Sequence, residues 1–231
     1  MVASSQNQTQ PEVIYPESDG KPMADNTKQF EWIVLIKKNL DLLFVDDPNV
    51  FVAGDLLWYP VEGKPNIVNA PDVMVVFGRP KQDRGSYLQW NEDNIPPQVV
   101  FEILSPSNKR IEMERKLLFY ERHGVEEYYL YDPQKNELSG WLRVEGYLDA
   151  IEPMAGWVSS RLGIRFDLSA EEFQIYRPDG ERFLSYVEIA QQAERERQEK
   201  ELALQQLEQE RQRAERLAER LRAMGIDPEQ V

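Results

Sequence analysis

A mixed α/β fold, a sheet with helices packed against it, is what this sequence predicts. Three apolar runs of strand length carry the prediction: "NVFVAGDLLWYPV", "IVNAPDVMVVF" and "PPQVVFEILSPS". Segments of helical spacing flank them, "NTKQFEWIVLIKKNLDLLF" before and "NKRIEMERKLLFYERHGV" after, and a further strand, "EEYYLYDP", follows. Helix, three strands, helix, strand is an order whose apolar faces are best buried in layers.

Each element has its own justification. Residues 1–26 are polar and lack an apolar h-region, so they read as a disordered arm and not as a secretory signal. In the first helix Phe30, Ile33, Val34, Ile36, Leu40 and Leu43 recur at three- and four-residue steps, with Asn26 or Thr27 as N-cap. The first strand is expected to bulge at Gly54. The polar excursion from Gly78 to Pro97 reads as a loop covering one edge of a site. In the second helix Met113, Leu117 and Tyr120 form a stripe, and Gly124 is the expected stop. From Leu138 to Tyr186 a β-rich extension of antiparallel hairpins is expected, with turns at Glu145-Gly146 and Pro178-Asp179-Gly180. The folded domain is therefore placed at residues 27–186.

Residues 187–224 change character: no glycine or proline, and a predominance of Glu, Arg, Gln, Ala and Leu. Ala203, Leu207, Ala214, Leu217, Leu221 and Met224 form a partial heptad seam, interrupted by Glu210. A long C-terminal helix follows, with residues 225–231 as a short end. Such a helix buries too little by itself, so a homo-oligomer or another coiled-coil partner is expected.

Composition narrows the chemistry. There is no cysteine among the 231 residues and His123 is the sole histidine, which excludes disulfides, thiolate sites and two-histidine metal sites within one chain. No G-x-S-x-G, G-x-G-x-x-G or Walker loop is present. The chemistry left to the chain is that of carboxylates, lysines, arginines and tyrosines, which suits oxygen-ligated Mg2+ or Mn2+. The formal net charge is -14, whereas residues 188–222 hold nine acids against eight bases, so the excess acid lies in the body. An acidic body argues against an indiscriminate grip on nucleic-acid backbones. No apolar run is long enough to cross a bilayer, and a reducing cytoplasm is the expected compartment.

Two residues violate the apolar pattern. Glu102 lies inside "VVFEIL", and Asp72 stands at the start of "DVMVVF", directly after Pro71. A carboxylate in a buried strand is expensive unless a cation or several donors meet it. Two of them on neighbouring strands point to one shared site, where a divalent metal removes their mutual repulsion. The plainer reading is that Asp72 caps a turn and Glu102 pairs with a helix arginine such as Arg115. The turn "SPSNKR" offers Ser105, Ser107 and Asn108 to cap the following helix, whose free N–H groups can face a phosphate.

The set Pro71-Asp72, Glu102-Ile103-Leu104-Ser105-Pro106-Ser107, Lys116, Tyr120, Gly124-Val125-x-Glu127-Tyr128 and Asp132-Pro133 resembles the bacterial putative restriction endonuclease family, of the PD-(D/E)XK superfamily. The likeness covers about Gln29 to Pro133. It implies a restriction-endonuclease-like core and metal-dependent phosphodiester hydrolysis. It also implies Asp72, Glu102 and the backbone carbonyl of Ile103 as metal ligands. The superfamily lysine two residues after the glutamate is here Leu104; the resemblance implies that Lys116, on the next helix, takes its role. Glu31 is similar to an upstream acid that some members use, and Glu112 lies one turn before Lys116; both are accessory candidates. The expectation is a Mg2+- or Mn2+-dependent endonuclease acting on DNA, with RNA left open by the sequence. The alternative is a degenerate nuclease fold that serves as a binding or assembly module through its tail. A phosphate-ester hydrolase of small nucleotides is a third reading, and it requires a closed pocket.

Overall fold

The computed structural model describes residues 13–225. The elements are α1 (Thr27–Leu43), β1 (Val50–Gly54), β2 (Trp58–Tyr59), β3 (Val73–Phe77), β4 (Tyr87–Leu88), β5 (Val99–Ile103), α2 (Arg110–Arg122), β6 (Glu127–Asp132), β7 (Glu137–Val144), β8 (Tyr147–Ala150), β9 (Arg165–Asp167), β10 (Gln174–Tyr176) and α3 (Tyr186–Ala223). The main sheet is six-stranded, in the order β1-β3-β5-β6-β7-β8. It is mixed: β5 and β6, joined by α2, are parallel, and the other neighbours are antiparallel. Two small sheets, β10-β9 and β2-β4, complete the body.

Side-chain alternation divides the core into two layers. Val73, Val75, Val99, Phe101 and Ile103 face α1 and the small β9-β10 sheet, where they meet Ile33, Ile36, Leu40, Phe166 and Ile175. Met74, Val76 and Val100 face the other way, onto Trp58, Tyr87, Tyr120 and Tyr128. α2 therefore covers the face on which Glu102 and Asp72, both even-numbered, fall by the same alternation. The polar residue buried in β5 is turned toward a helix.

Several expectations need correction. In α1, Phe30 and Val34 are exposed, and the buried face is Gln29, Trp32, Ile33, Ile36, Asn39 and Leu40. Asn26 is the N-cap and accepts from the Gln29 amide at 2.9 Å. The run 49–61 is two strands, not one bulged strand: the chain turns at Asp55, whose φ is +48. β3 begins at Val73, and Asn69 before it forms an isolated antiparallel bridge to Trp58. The excursion after Gly78 is no bare loop; it contains β4, and Tyr87 is completely buried there. β7 and β8 extend the main sheet as a hairpin, with Glu145 and Gly146 both at positive φ, as a type I′ turn requires.

The expected disordered arm is also different. Residues 1–12 lie outside the described residues, but 13–26 are laid along the body. The Tyr15 ring meets Tyr59 and Trp90 at 5.3 and 4.8 Å, and the Tyr59 hydroxyl donates to the Pro16 carbonyl at 2.8 Å.

The chain divides into two units, residues 1–183 and 184–231. The second holds α3, 38 residues long, which opens with a capping box between Ser185 and Glu188. No residue of α3 is buried. Residues 226–231, most of the expected C-terminal end, lie outside the described residues. Among the described residues no helix is long and apolar enough to cross a membrane.

Candidate active site

The register of β3 and β5 pairs Val73 with Phe101 and Met74 with Val100. Continued by one residue, it sets Asp72 opposite Glu102, at the end of the strand pair nearest α2. Directly opposed residues of antiparallel strands share a face and lie within about 5.5 Å at Cβ. Asp72 is 8% exposed and Glu102 is 2% exposed. One Asp72 oxygen accepts the backbone N–H of Ile103 at 2.6 Å. Burial pushes the Asp72 carboxyl well above the usual aspartate range, and the Glu102 charge pushes it further.

Glu102 meets two donors. The Lys116 ammonium lies 2.7 Å from Oε2, and the Tyr120 hydroxyl donates to Oε1. Arg115 takes no part; it is exposed on α2. Burial works against the Lys116 ammonium, yet Glu102 and Asp72 outweigh it and raise the lysine pKa. Tyr120 is held high by burial and by Glu102. The Tyr128 hydroxyl, buried in the same layer, has no hydrogen-bond partner among the described residues.

A cavity of about 290 Å³ opens beside this group. Asp72 and Lys116 line it, together with Asp19, Asp25, Asp55 and Glu112. Glu102 does not line it, and touches the Lys116 ammonium that does. Asp55 owes its raised carboxyl pKa first to burial, then to the charge of Asp19. Carboxylates outnumber cations in the cavity, which attracts cations and repels a bare phosphate.

The remaining candidates fall in different places. The Ile103 carbonyl accepts the Gln29 side-chain amide at 2.9 Å, which leaves it a second lone pair. Glu112, exposed on the first turn of α2, lines the cavity and its charge helps to raise the Lys116 pKa. Glu31 is exposed on α1 and does not line the cavity. Ser105, Ser107 and Asn108 do not cap α2, whose N-cap is Lys109 without a side-chain bond. Ser105 and Ser107 hydroxyls donate to the carboxylate of Asp25, the former at 2.6 Å, and Asn108 accepts the Ser105 amide at 2.8 Å. A charge-assisted bond to a carboxylate is stronger than a neutral cap. The two hydroxyls hold the Asp25 carboxyl below its usual range. Gln29, Asn69, Asp19 and Asp25 are site residues that sequence reasoning did not single out.

Among the described residues no three His, Cys, Asp or Glu side chains form a ready-made metal cage. The donor set nevertheless suits a small hard cation. Mg2+ is usually held by one or two carboxylates, its other positions going to water and phosphate oxygens. Asp72, Glu102 and the Ile103 carbonyl supply hard oxygens of that kind. Burial first and the Glu102 charge second raise the Asp72 carboxyl, and a cation between the two acids offsets both effects.

The sequence profile of the family described as "Uma2: Putative restriction endonuclease" matches residues 19–160. Among solved structures, that of "a putative nuclease belonging to DUF820 from Anabaena variabilis ATCC 29413" is similar, with 16% identity, 62% of this chain and 77% of that chain covered, and a TM-score of 0.46. No curated protein matches the chain.

Proposed function

The chain belongs to the Uma2 family, and from that premise we propose that it is a divalent-metal-dependent endonuclease that hydrolyses phosphodiester bonds of DNA. The observation that carries the reading is the cross-strand pair of buried carboxylates, Asp72 and Glu102, with the Lys116 ammonium bonded to one of them at 2.7 Å beside an acidic cavity. A core that needed only packing would not put two acids and a lysine there, because each loses hydration on burial.

In this reading Asp72, Glu102 and the Ile103 carbonyl hold Mg2+ or Mn2+. Such an ion supplies Lewis-acid polarisation of a phosphoryl oxygen and a more acidic water. The protein's own groups do the rest. Lys116, whose pKa is raised, is protonated at neutral pH. It therefore acts as a fixed positive charge beside the phosphate and not as a base, and favours the extra negative charge of the transition state. The Asp72 bond to the Ile103 amide ties its carboxylate to the end of β5. Gln29 fixes the Ile103 carbonyl from the opposite face of the sheet.

One observation favours a second reading, a nuclease fold kept as a binding or assembly module. Both Glu102 oxygens already have protein partners. The two readings separate in a cleavage assay on plasmid and single-stranded DNA with Mg2+, Mn2+ or chelator. The endonuclease cleaves only with the divalent ion, and Asp72→Ala abolishes cleavage. Wild-type protein that cleaves neither substrate with either ion leaves the binding module.

A further inference from the structure

The two oxygens of Glu102 have partners of different kinds. Oε2 receives an ammonium on the flexible stem of Lys116, which lines the cavity. Oε1 receives the hydroxyl of Tyr120, which is 0% exposed and whose ring is fixed against Trp58, Phe119 and Tyr128. A phenol has one proton to give, and its oxygen can also accept. Asn69 decides where that proton goes. Its side-chain amide donates to the Tyr120 oxygen at 3.0 Å, which directs the hydroxyl proton to Glu102. Asn69 is itself fixed by two backbone hydrogen bonds to Trp58, of 2.8 and 3.2 Å. It stands three residues before Asp72 and lines the same cavity.

We propose that Asn69 and Tyr120 are positioning residues: they pin Oε1 of Glu102, so that Oε2 alone changes partner, from the Lys116 ammonium to a divalent cation. The inference rests on the metal-dependent reading above and specifies how that site is loaded. A carboxylate pinned at one oxygen presents the other in a single orientation, and hydrogen-bond partners behind a metal ligand are typically worth 10- to 100-fold in metal affinity. Lys116 is the protein's own cation on Oε2. Metal and lysine compete for one oxygen, while tyrosine and asparagine hold the other in both states. Neither Tyr120 nor Asn69 touches the cation.

The test is calorimetric titration of Mn2+ into the full chain and its variants, with thermal unfolding in chelator measured alongside. Tyr120→Phe keeps the ring packing and removes only the hydroxyl. The expected result is Mn2+ binding weaker by about 10- to 100-fold in Tyr120→Phe, and a smaller loss in Asn69→Ala. Lys116→Met is expected to bind Mn2+ more tightly than wild type, its competitor being gone. A merely structural tyrosine would lower the unfolding temperature and leave the Mn2+ affinity where it was. Tyr120→Phe within about threefold of wild type, or Lys116→Met binding more weakly, overturns the inference while the metal site stands. Wild-type protein that binds no Mn2+ overturns both. Should Tyr120→Phe fail to fold, Asn69→Ala decides by the same affinity criterion.

Discussion

Replacing Lys116 by methionine keeps the length of the side chain and removes the ammonium that meets Glu102 at 2.7 Å. The glutamate side chain is 3% exposed and the lysine 18%, so the variant leaves a carboxylate buried with Tyr120 as its remaining donor. Breaking a buried pair from one side costs about 3–5 kcal/mol. The retained tyrosine bond and the partial exposure of the lysine place this case at the low end, about 3 kcal/mol. For a chain of this size that corresponds to a fall in Tm of about 6–12 °C. Divalent metal should return much of it, since a ligand at 100 times its Kd stabilises by about 2.7 kcal/mol. The assay is urea unfolding in chelator and in Mn2+, for wild type, Lys116→Met, Glu102→Gln and the double variant. Glutamine still accepts from Tyr120 and carries no charge. The double variant should therefore be more stable than Lys116→Met, with a coupling of about 2 kcal/mol. A Lys116→Met loss below about 0.5 kcal/mol, or strict additivity in the cycle, would show that the lysine is solvated and that Glu102 does not depend on it.

Other predictions follow from single contacts. Glu127 is completely buried and accepts from Ser159, Ser160, Tyr129 and the Arg161 amide. Glu127→Ala should cost about 3 kcal/mol by orphaning those donors, measured by urea unfolding, and leave Mn2+ affinity within threefold, as befits an anchor of the β-rich extension. The Asp25 carboxyl is depressed by Ser105 and Ser107, so its stabilising contribution is present above the unfolded aspartate pKa of about 3.9 and lost as pH falls through its lower folded value. Asp25→Asn should accordingly flatten the stability profile below about pH 4, and an unchanged slope would refute the clamp. The exposed α3 seam, Leu207 and Leu217 among it, should associate with a second copy. Light scattering that finds only monomer at high concentration contradicts this.

The sheet was legible because its strands announce themselves. "VMVVF" and "VVFEI" are apolar on both faces, as strands covered by α1 and the β9-β10 sheet on one face and by α2 on the other must be, and the acids that interrupt this pattern sit across from one another. The Glu145-Gly146 turn and the Gly124 stop were legible for a related reason, since positive φ leaves a mark in residue choice. Helix periodicity was less decisive. Phe30 and Val34 satisfy the same three- and four-residue spacing as the true face, and only packing excludes them. Gln29 and Asn69 could not be found by pattern, because a buried amide bonded to one particular carbonyl or hydroxyl looks in sequence like any solvated amide. Asp55 stands at the turn after β1 with positive φ, and its side chain lines the cavity. The segment from Val13 to Asn26 has a disordered composition. Tyr15 and Pro16 were its sole hint of attachment, two residues suited to docking on Tyr59 and Trp90. The serine turn was expected to meet the helix behind it and meets Asp25 instead, 80 residues away in sequence for Ser105.

The central claim, that Asp72 and Glu102 hold one divalent cation between adjacent strands, is tested most directly by anomalous scattering from a crystal grown with Mn2+. A single manganese peak is expected at that place, bonded to a carboxylate oxygen of Asp72 and to Oε2 of Glu102, with the Ile103 carbonyl as a further ligand and the Lys116 ammonium displaced from Glu102. A crystal at saturating Mn2+ with Lys116 still on Glu102, and no peak beside Asp72, would contradict it.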